Sequence, residues 1–130
     1  FWIAPMQIEQ REIYRAIAEM AYVIAKADKG LSADERMTFN KIVEEELEFN
    51  SWVAQSRFEL LDEVTQPSID IAYNEAMHDL KKYRDHLTPA LKEKAIRVMQ
   101  KVAESCSGYS EKEKLIIDRF KNDLKSLSQT

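Results

Sequence analysis

The stretch Ala25-Lys26-Ala27-Asp28-Lys29-Gly30-Leu31-Ser32-Ala33-Asp34-Glu35 reads as the end of one helix and the start of the next. Upstream, Ile13, Ile17, Met20, Ala21 and Ile24 recur at helical spacing, which predicts an amphipathic helix over about Met6 to Ala27. Gly30 stands just past that helix, where a residue without Cβ enters the helix-closing left-handed conformation at least cost. Ser32 and Glu35 have capping-box spacing: the serine oxygen accepts from the third amide of the helix, and the glutamate reaches back to the serine N–H. A serine cap of this kind contributes about 1 kcal/mol. Downstream, Phe39, Ile42, Val43 and Leu47 carry a second helix that starts at Ser32.

The same corner is written a second time, as Ser105-Cys106-Ser107-Gly108-Tyr109-Ser110-Glu111-Lys112-Glu113. Gly30 and Gly108 are the only two glycines in the chain, and the offset is constant, 108 − 30 and 113 − 35 both giving 78. Flanking residues keep it: Ile24 with Val102, Ala25 with Ala103, Phe39 with Ile117, Ile42 with Phe120. This predicts a duplication, two helix–turn–helix halves about an approximate two-fold axis.

Between the corners, a third helix is expected after Asn50 or Ser51, with Val53, Leu60, Leu61 and Val64 on its inner face. A fourth begins near Pro67 and runs through Ile69, Ala72, Tyr73, Ala76, Leu80, Tyr83 and Leu87. Thr88-Pro89, an N-cap followed by proline at the first helical position, opens a fifth with Leu91, Ala95, Val98, Met99 and Val102. The sixth opens at Ser110 and buries Ile117, Phe120, Leu124 and Leu127. No segment alternates with period two, and two glycines with three prolines are too few for the turns of an all-β fold. The expected fold is therefore all-α: one domain over 1–130, a bundle of six or seven helices with an internal pseudo-two-fold helix–turn–helix repeat. Trp2 and Trp52 fall outside the clear stripes and are expected to plug bundle ends.

Composition sets the boundaries of function. A chain of 130 residues, 45% hydrophobic and 32% charged, buries roughly two-thirds of its unfolded surface and folds without disulfide or metal. The net charge of −4 argues against nucleic acid or anionic lipid as partner, because both select basic surfaces. Cys106, the single cysteine, allows no internal disulfide, and cytoplasmic localisation is expected. Phe1–Pro5 lacks a signal-peptide pattern and reads as a cloning remnant or flexible end before Met6. The longest apolar run, Met20–Ala25, falls far short of the ~20 residues needed to span a bilayer. The polar tail from Lys125 to Thr130 is expected to fray.

At its two corners the chain resembles the TerB-like family, the tellurite-resistance protein B group of small helical bacterial domains. That family's pattern is an apolar helix ending in Ala-x-Ala-Asp-Gly, then an aliphatic residue, Ser or Thr, two residues, and Glu. Asp28, Leu31, Ser32 and Glu35 fall in register, with Lys29 where the glycine usually stands and Gly30 one place later. The second half keeps Ser110 and Glu113 but carries Cys106 at the aspartate position. The resemblance implies an all-helical fold with a pseudo-repeat and an association with metal and chemical-stress responses. It further implies divalent-ion binding through turn carboxylates, use as a partner-binding module, and no catalytic reaction.

Two readings of the first corner stand side by side. Capping alone accounts for Ser32 and Glu35. Alternatively Asp28, Asp34 and Glu35 converge across the hairpin on a hard cation, Ca²⁺ or Mg²⁺, held weakly because the donors are few. The twelve-residue loop of an EF-hand is absent. Glu44, Glu45, Glu46 and Glu48 form an acidic run, either a solvated face or a docking surface for a basic protein partner. His78 and His86, eight residues apart and about 12 Å along a helix, cannot share one metal and are expected at the surface. Phosphate loops, zinc-type cysteine pairs and hydrolase elbows are missing, and Cys106 lacks a recognisable base, so an enzyme is not expected.

Overall fold

In a computed structural model, residues 8–28, 33–47, 51–105 and 111–127 are described, with side chains throughout except at 28 and 33–35. Helix α1 (Ile8–Asp28) is apolar on nearly every face of its central turns. Ile13, Ala16, Ile17, Ala18, Met20, Ala21, Val23 and Ile24 are all buried, as are Tyr14, Tyr22 and Ala25. A helix hydrophobic all round belongs inside a protein, and α1 is enclosed by α3 (Ser51–Leu60), α4 (Ile69–Lys82), α5 (Pro89–Ser105) and α6 (Glu111–Leu127). The stripe expected from sequence is thus one side of a helix buried on several. No helix among the described residues is long and apolar enough to cross a membrane.

Helix α2 (Ala33–Leu47) turns Phe39, Ile42, Val43 and Leu47 inward, as its periodicity predicts. It packs on α5 and α3. Its last turn is tied to α5 by Glu46, whose two oxygens each accept from Arg97 Nε at 3.1 Å while Lys101 Nζ lies 3.0 Å from Oε2. Burial pushes the Glu46 carboxyl upward, but hydrogen bonds from Lys101 and Arg97 outweigh it and hold the group below its ordinary value. A lowered folded pKa contributes stability above the unfolded value, lost as pH falls through the folded one. Glu46→Gln is therefore expected to cost about 1 kcal/mol at neutral pH, since both cations stay substantially hydrated. Urea unfolding checks this: the deficit should vanish in acid, and an undiminished deficit there would contradict the ion-pair account.

Helix α3 departs from expectation. Its inner residues are Ser51, Val53, Ala54 and Phe58, and the chain then widens into a π-helical turn over Leu61–Thr65. Leu61 is buried, but Leu60 is 41% and Val64 71% exposed. A π turn rotates less per residue, so the residue three places beyond Leu61 no longer returns to the inner face. Phe58 takes the core position instead, stacked on Phe39 with ring centroids 4.1 Å apart and edge-on to Tyr22 at 6.3 Å. Gln66 ends the turn in the left-handed region (φ 43°), its N–H donating to the Leu61 carbonyl at 2.9 Å. Arg36 of α2 clamps the turn through ion pairs to Asp62 and Glu63.

Helix α4 starts one residue after Pro67, at the Ser68 cap, whose Oγ accepts from the Ile71 amide at 3.3 Å. The Pro67 carbonyl is engaged elsewhere, accepting from Tyr22 Oη at 2.9 Å. Helix α4 stops at Lys82, short of the expected Leu87; a 3₁₀ turn over Arg84–His86 follows, with His86 and Leu87 amides donating to Tyr83 and Arg84 carbonyls. The tighter turn lets Leu87 drop into the core before Thr88 restarts the helix. Thr88 Oγ1 accepts from the Leu91 amide at 3.2 Å, the cap the Thr-Pro pair predicts.

Along α5 the buried residues are Ala95, Val98, Met99, Val102 and Ala103; along α6 they are Glu113, Ile117, Phe120 and Leu124. Tyr73 joins α4 to α6: its hydroxyl donates to Asp123 at 2.5 Å and Arg119 lies 4.0 Å over its ring. The observed architecture is one all-α domain, with six α-helices among the described residues. The corners at 29–32 and 106–110, with both glycines and both serine caps, lie outside the described residues, and with them the expected two-fold repeat.

Candidate functional site

The corner acids are placed by backbone alone. Asp28 is the last residue of α1, and Asp34 and Glu35 lie in the first turn of α2, which begins after the four intervening residues 29–32; their side chains lie outside the described ones. The acidic run of α2 divides. Glu44 and Glu45 are exposed, Glu44 within 3.4 Å of Gln55 Nε2, whereas Glu46 faces inward to Arg97 and Lys101. Glu48, Cys106 and Trp2 lie outside the described residues. His78 and His86 are both exposed, but only His78 belongs to α4, because that helix ends before His86. Trp52 does not plug a bundle end. It is 59% exposed on a groove with Arg36 and Asn40 of α2 and Gln55, Ser56 and Glu59 of α3, because the inner face of α3 is occupied by Val53, Ala54 and Phe58.

The strongest concentration of unusual chemistry lies elsewhere, around a residue the sequence reading passed over. Glu19 sits midway along α1, between Ala18 and Met20, and is only 2% exposed. It opens on a cleft of about 310 Å³, with Arg57 from α3 and Asn74, Glu75, His78 and Asp79 from α4. Arg57 Nη1 stands 3.7 Å from Glu19 Oε1, an ion pair too long for a hydrogen bond. Glu19 Oε2 is buried and accepts no hydrogen bond.

The electrostatics follow from that placement. Burial, reinforced by Asp79 and more weakly by Glu75 and Glu12, and opposed by Arg57, pushes the Glu19 carboxyl up to about 7. Asp79 is also raised, by burial first, then Glu12, with His78 and Arg57 pulling the other way. Glu12 itself is bridged to Arg15 at 2.8 Å. Two neighbouring carboxyls thus hold protons more tightly than they would in water. Such a cleft can store a proton near neutral pH or exchange it for another positive charge.

Among the described residues, no three His, Cys, Asp or Glu side chains come together as a metal would require. A sequence signal for Glu19 did exist: a lone acid among the apolar residues of Ile13–Ala25. An amphipathic stripe on a helix does not reveal whether its opposite face is also covered, so that signal is ambiguous from sequence.

Comparison with known families matches residues 14–126 of the chain to the family described as tellurite resistance protein TerB. Comparisons with curated proteins and with solved structures each found no match.

Proposed function

We propose that this chain, which belongs to the TerB family, is a non-enzymatic module of a metal or chemical-stress response that binds a divalent cation weakly at its first corner. Asp28, Asp34 and Glu35 are the residues that would hold the ion. The observation behind this reading is their placement: α1 ends on Asp28 and α2 begins at Ala33, so a short connection separates the three carboxylate-bearing positions. The donor set is all oxygen, the chemistry suited to Ca²⁺ or Mg²⁺ rather than to a thiophilic metal. A bound cation there would join the ends of two helices and stabilise the folded chain by mass action.

Calorimetric or NMR titration of the full chain with Ca²⁺ and Mg²⁺ tests the reading. Binding in the millimolar range is expected, with Glu35→Gln weakening it about tenfold while leaving the helix start intact, because glutamine also serves the capping box. Absence of any cation-dependent change in the wild type removes the proposal.

The exposure of Glu44 and Glu45 favours a second reading, docking of a basic protein partner on α2. That association would weaken steeply with salt, and Glu44→Lys would abolish it without touching the cation titration.

A further inference from the structure

The cleft around Glu19 carries chemistry that the corner carboxylates do not share. A buried carboxylate oxygen with no donor, on a residue only 2% exposed, is an expensive feature, because its desolvation has no compensating hydrogen bond. The groups facing it are predominantly negative: Glu12 from its own helix, Glu75 and Asp79 from α4, against Arg57 from α3 and the imidazole of His78. Arg57 faces the other oxygen of the same carboxylate at 3.7 Å. The vacant acceptor and the excess of negative charge both call for a hydrogen-bond donor that carries positive charge.

We propose that the cleft between α1, α3 and α4 binds a primary ammonium group on a short alkyl chain, with the Glu19 carboxylate accepting its hydrogen bond and Asp79 and Glu75 supplying the surrounding negative field. An ammonium is a point charge with three donors that rotate to suit, so a single buried oxygen suffices to anchor it. A guanidinium wants a paired, coplanar set of acceptors, and Arg57 already faces one of the two Glu19 oxygens. A divalent metal wants several converging ligands, and no such trio occurs among the described residues. Anions are repelled. The cleft, about 310 Å³ and open to one side, admits an aliphatic chain behind the charged head. Occupancy replaces the proton that Glu19 otherwise takes up, so binding strengthens as pH rises through about 7.

An amine of this type is either a free diamine or the lysine side chain of a partner, and the two are separated in one experiment. The full chain at about pH 8, at constant ionic strength, is followed by ¹⁵N NMR during titration with putrescine, with Nα-acetyl-lysine amide, with tetramethylammonium and with Mg²⁺. Saturable shifts at the amides of Glu19, Asn74 and Asp79 with putrescine alone assign a free amine. Shifts with the lysine amide assign a partner's side chain, and shifts with both leave the ammonium site standing for either.

Tetramethylammonium, which has no N–H, should leave these amides unmoved. Glu19→Gln should weaken amine binding about tenfold. Asp79→Asn, a milder change at a half-exposed position, should weaken it about threefold and serves if the first variant misfolds. The assignment is overturned if neither amine shifts these amides, if tetramethylammonium or Mg²⁺ shifts them equally, or if both variants bind as the wild type does.

Discussion

Glu19→Gln is expected to stabilise the protein at alkaline pH and to leave it unchanged in acid. The Glu19 carboxyl titrates near 7 in the folded chain against 4.5 in the unfolded one, so the native state binds the proton more readily across that interval. A raised carboxyl favours folding below the unfolded value and progressively less as pH climbs through the folded one. Once Glu19 is fully ionised, the difference corresponds to about 3 kcal/mol. At 3% side-chain exposure, water screens little of it. Glutamine keeps the shape and removes the charge, so about that much stability should be recovered at pH near 8 and almost none near pH 4.

Arg57 loses a partner in the variant but is 27% exposed and remains hydrated. Asp79 contributes in the same direction, because burial first and then Glu12 raise its own carboxyl. Urea midpoints measured across the range decide the matter: a wild type whose stability is flat between about pH 5 and 7 would show that Glu19 is not held as described.

Phe58→Ala is expected to be the most damaging single substitution in α3, costing about 3–5 kcal/mol. Phe58 is 1% exposed and stacked on Phe39, itself 1% exposed, with Tyr22 edge-on to it. Removing it leaves a cavity where α1, α2 and α3 meet, against a total stability of about 5–15 kcal/mol for a domain of this kind. Val64→Ala is the informative companion. Sequence periodicity puts Val64 in the core, whereas the fold leaves it 71% exposed, so its truncation should change stability by less than about 0.5 kcal/mol. Denaturant unfolding of both variants distinguishes the two pictures, and comparable losses would mean that the π turn does not rotate Val64 outward.

The π turn shows why part of the core was not legible beforehand. The inner faces of α2, α5 and α6 were readable because each helix keeps an unbroken period and meets its neighbours on one side. Phe39, Ile42, Val43 and Leu47 behave this way, as do Val98, Met99, Val102, Ile117, Phe120 and Leu124. Helix α3 breaks its period at Leu61, and nothing in Leu-Asp-Glu-Val-Thr announces an extra residue in the turn. Helix α4 likewise ends at Lys82 without glycine or proline, and Leu87 reaches the core through a 3₁₀ turn.

The corner acids Asp28, Asp34 and Glu35 are singled out by spacing alone, because capping boxes and turn acids are local patterns. Glu46 looked like one acid in a solvated row; its inward turn depends on Arg97 and Lys101, fifty-odd residues away.

The amino-acid order by itself determined that this chain is helical, where most helices begin, and that it resembles the TerB family, since periodicity and caps are set within a few turns of chain. Only the tertiary structure decided that α1 is enclosed on several sides, and with it the character of Glu19. Whether a carboxylate is solvated or desolvated depends on which distant helices cover it, and the covering of Glu19 by Arg57 of α3 and Asp79 of α4 is a long-range arrangement that no local pattern encodes.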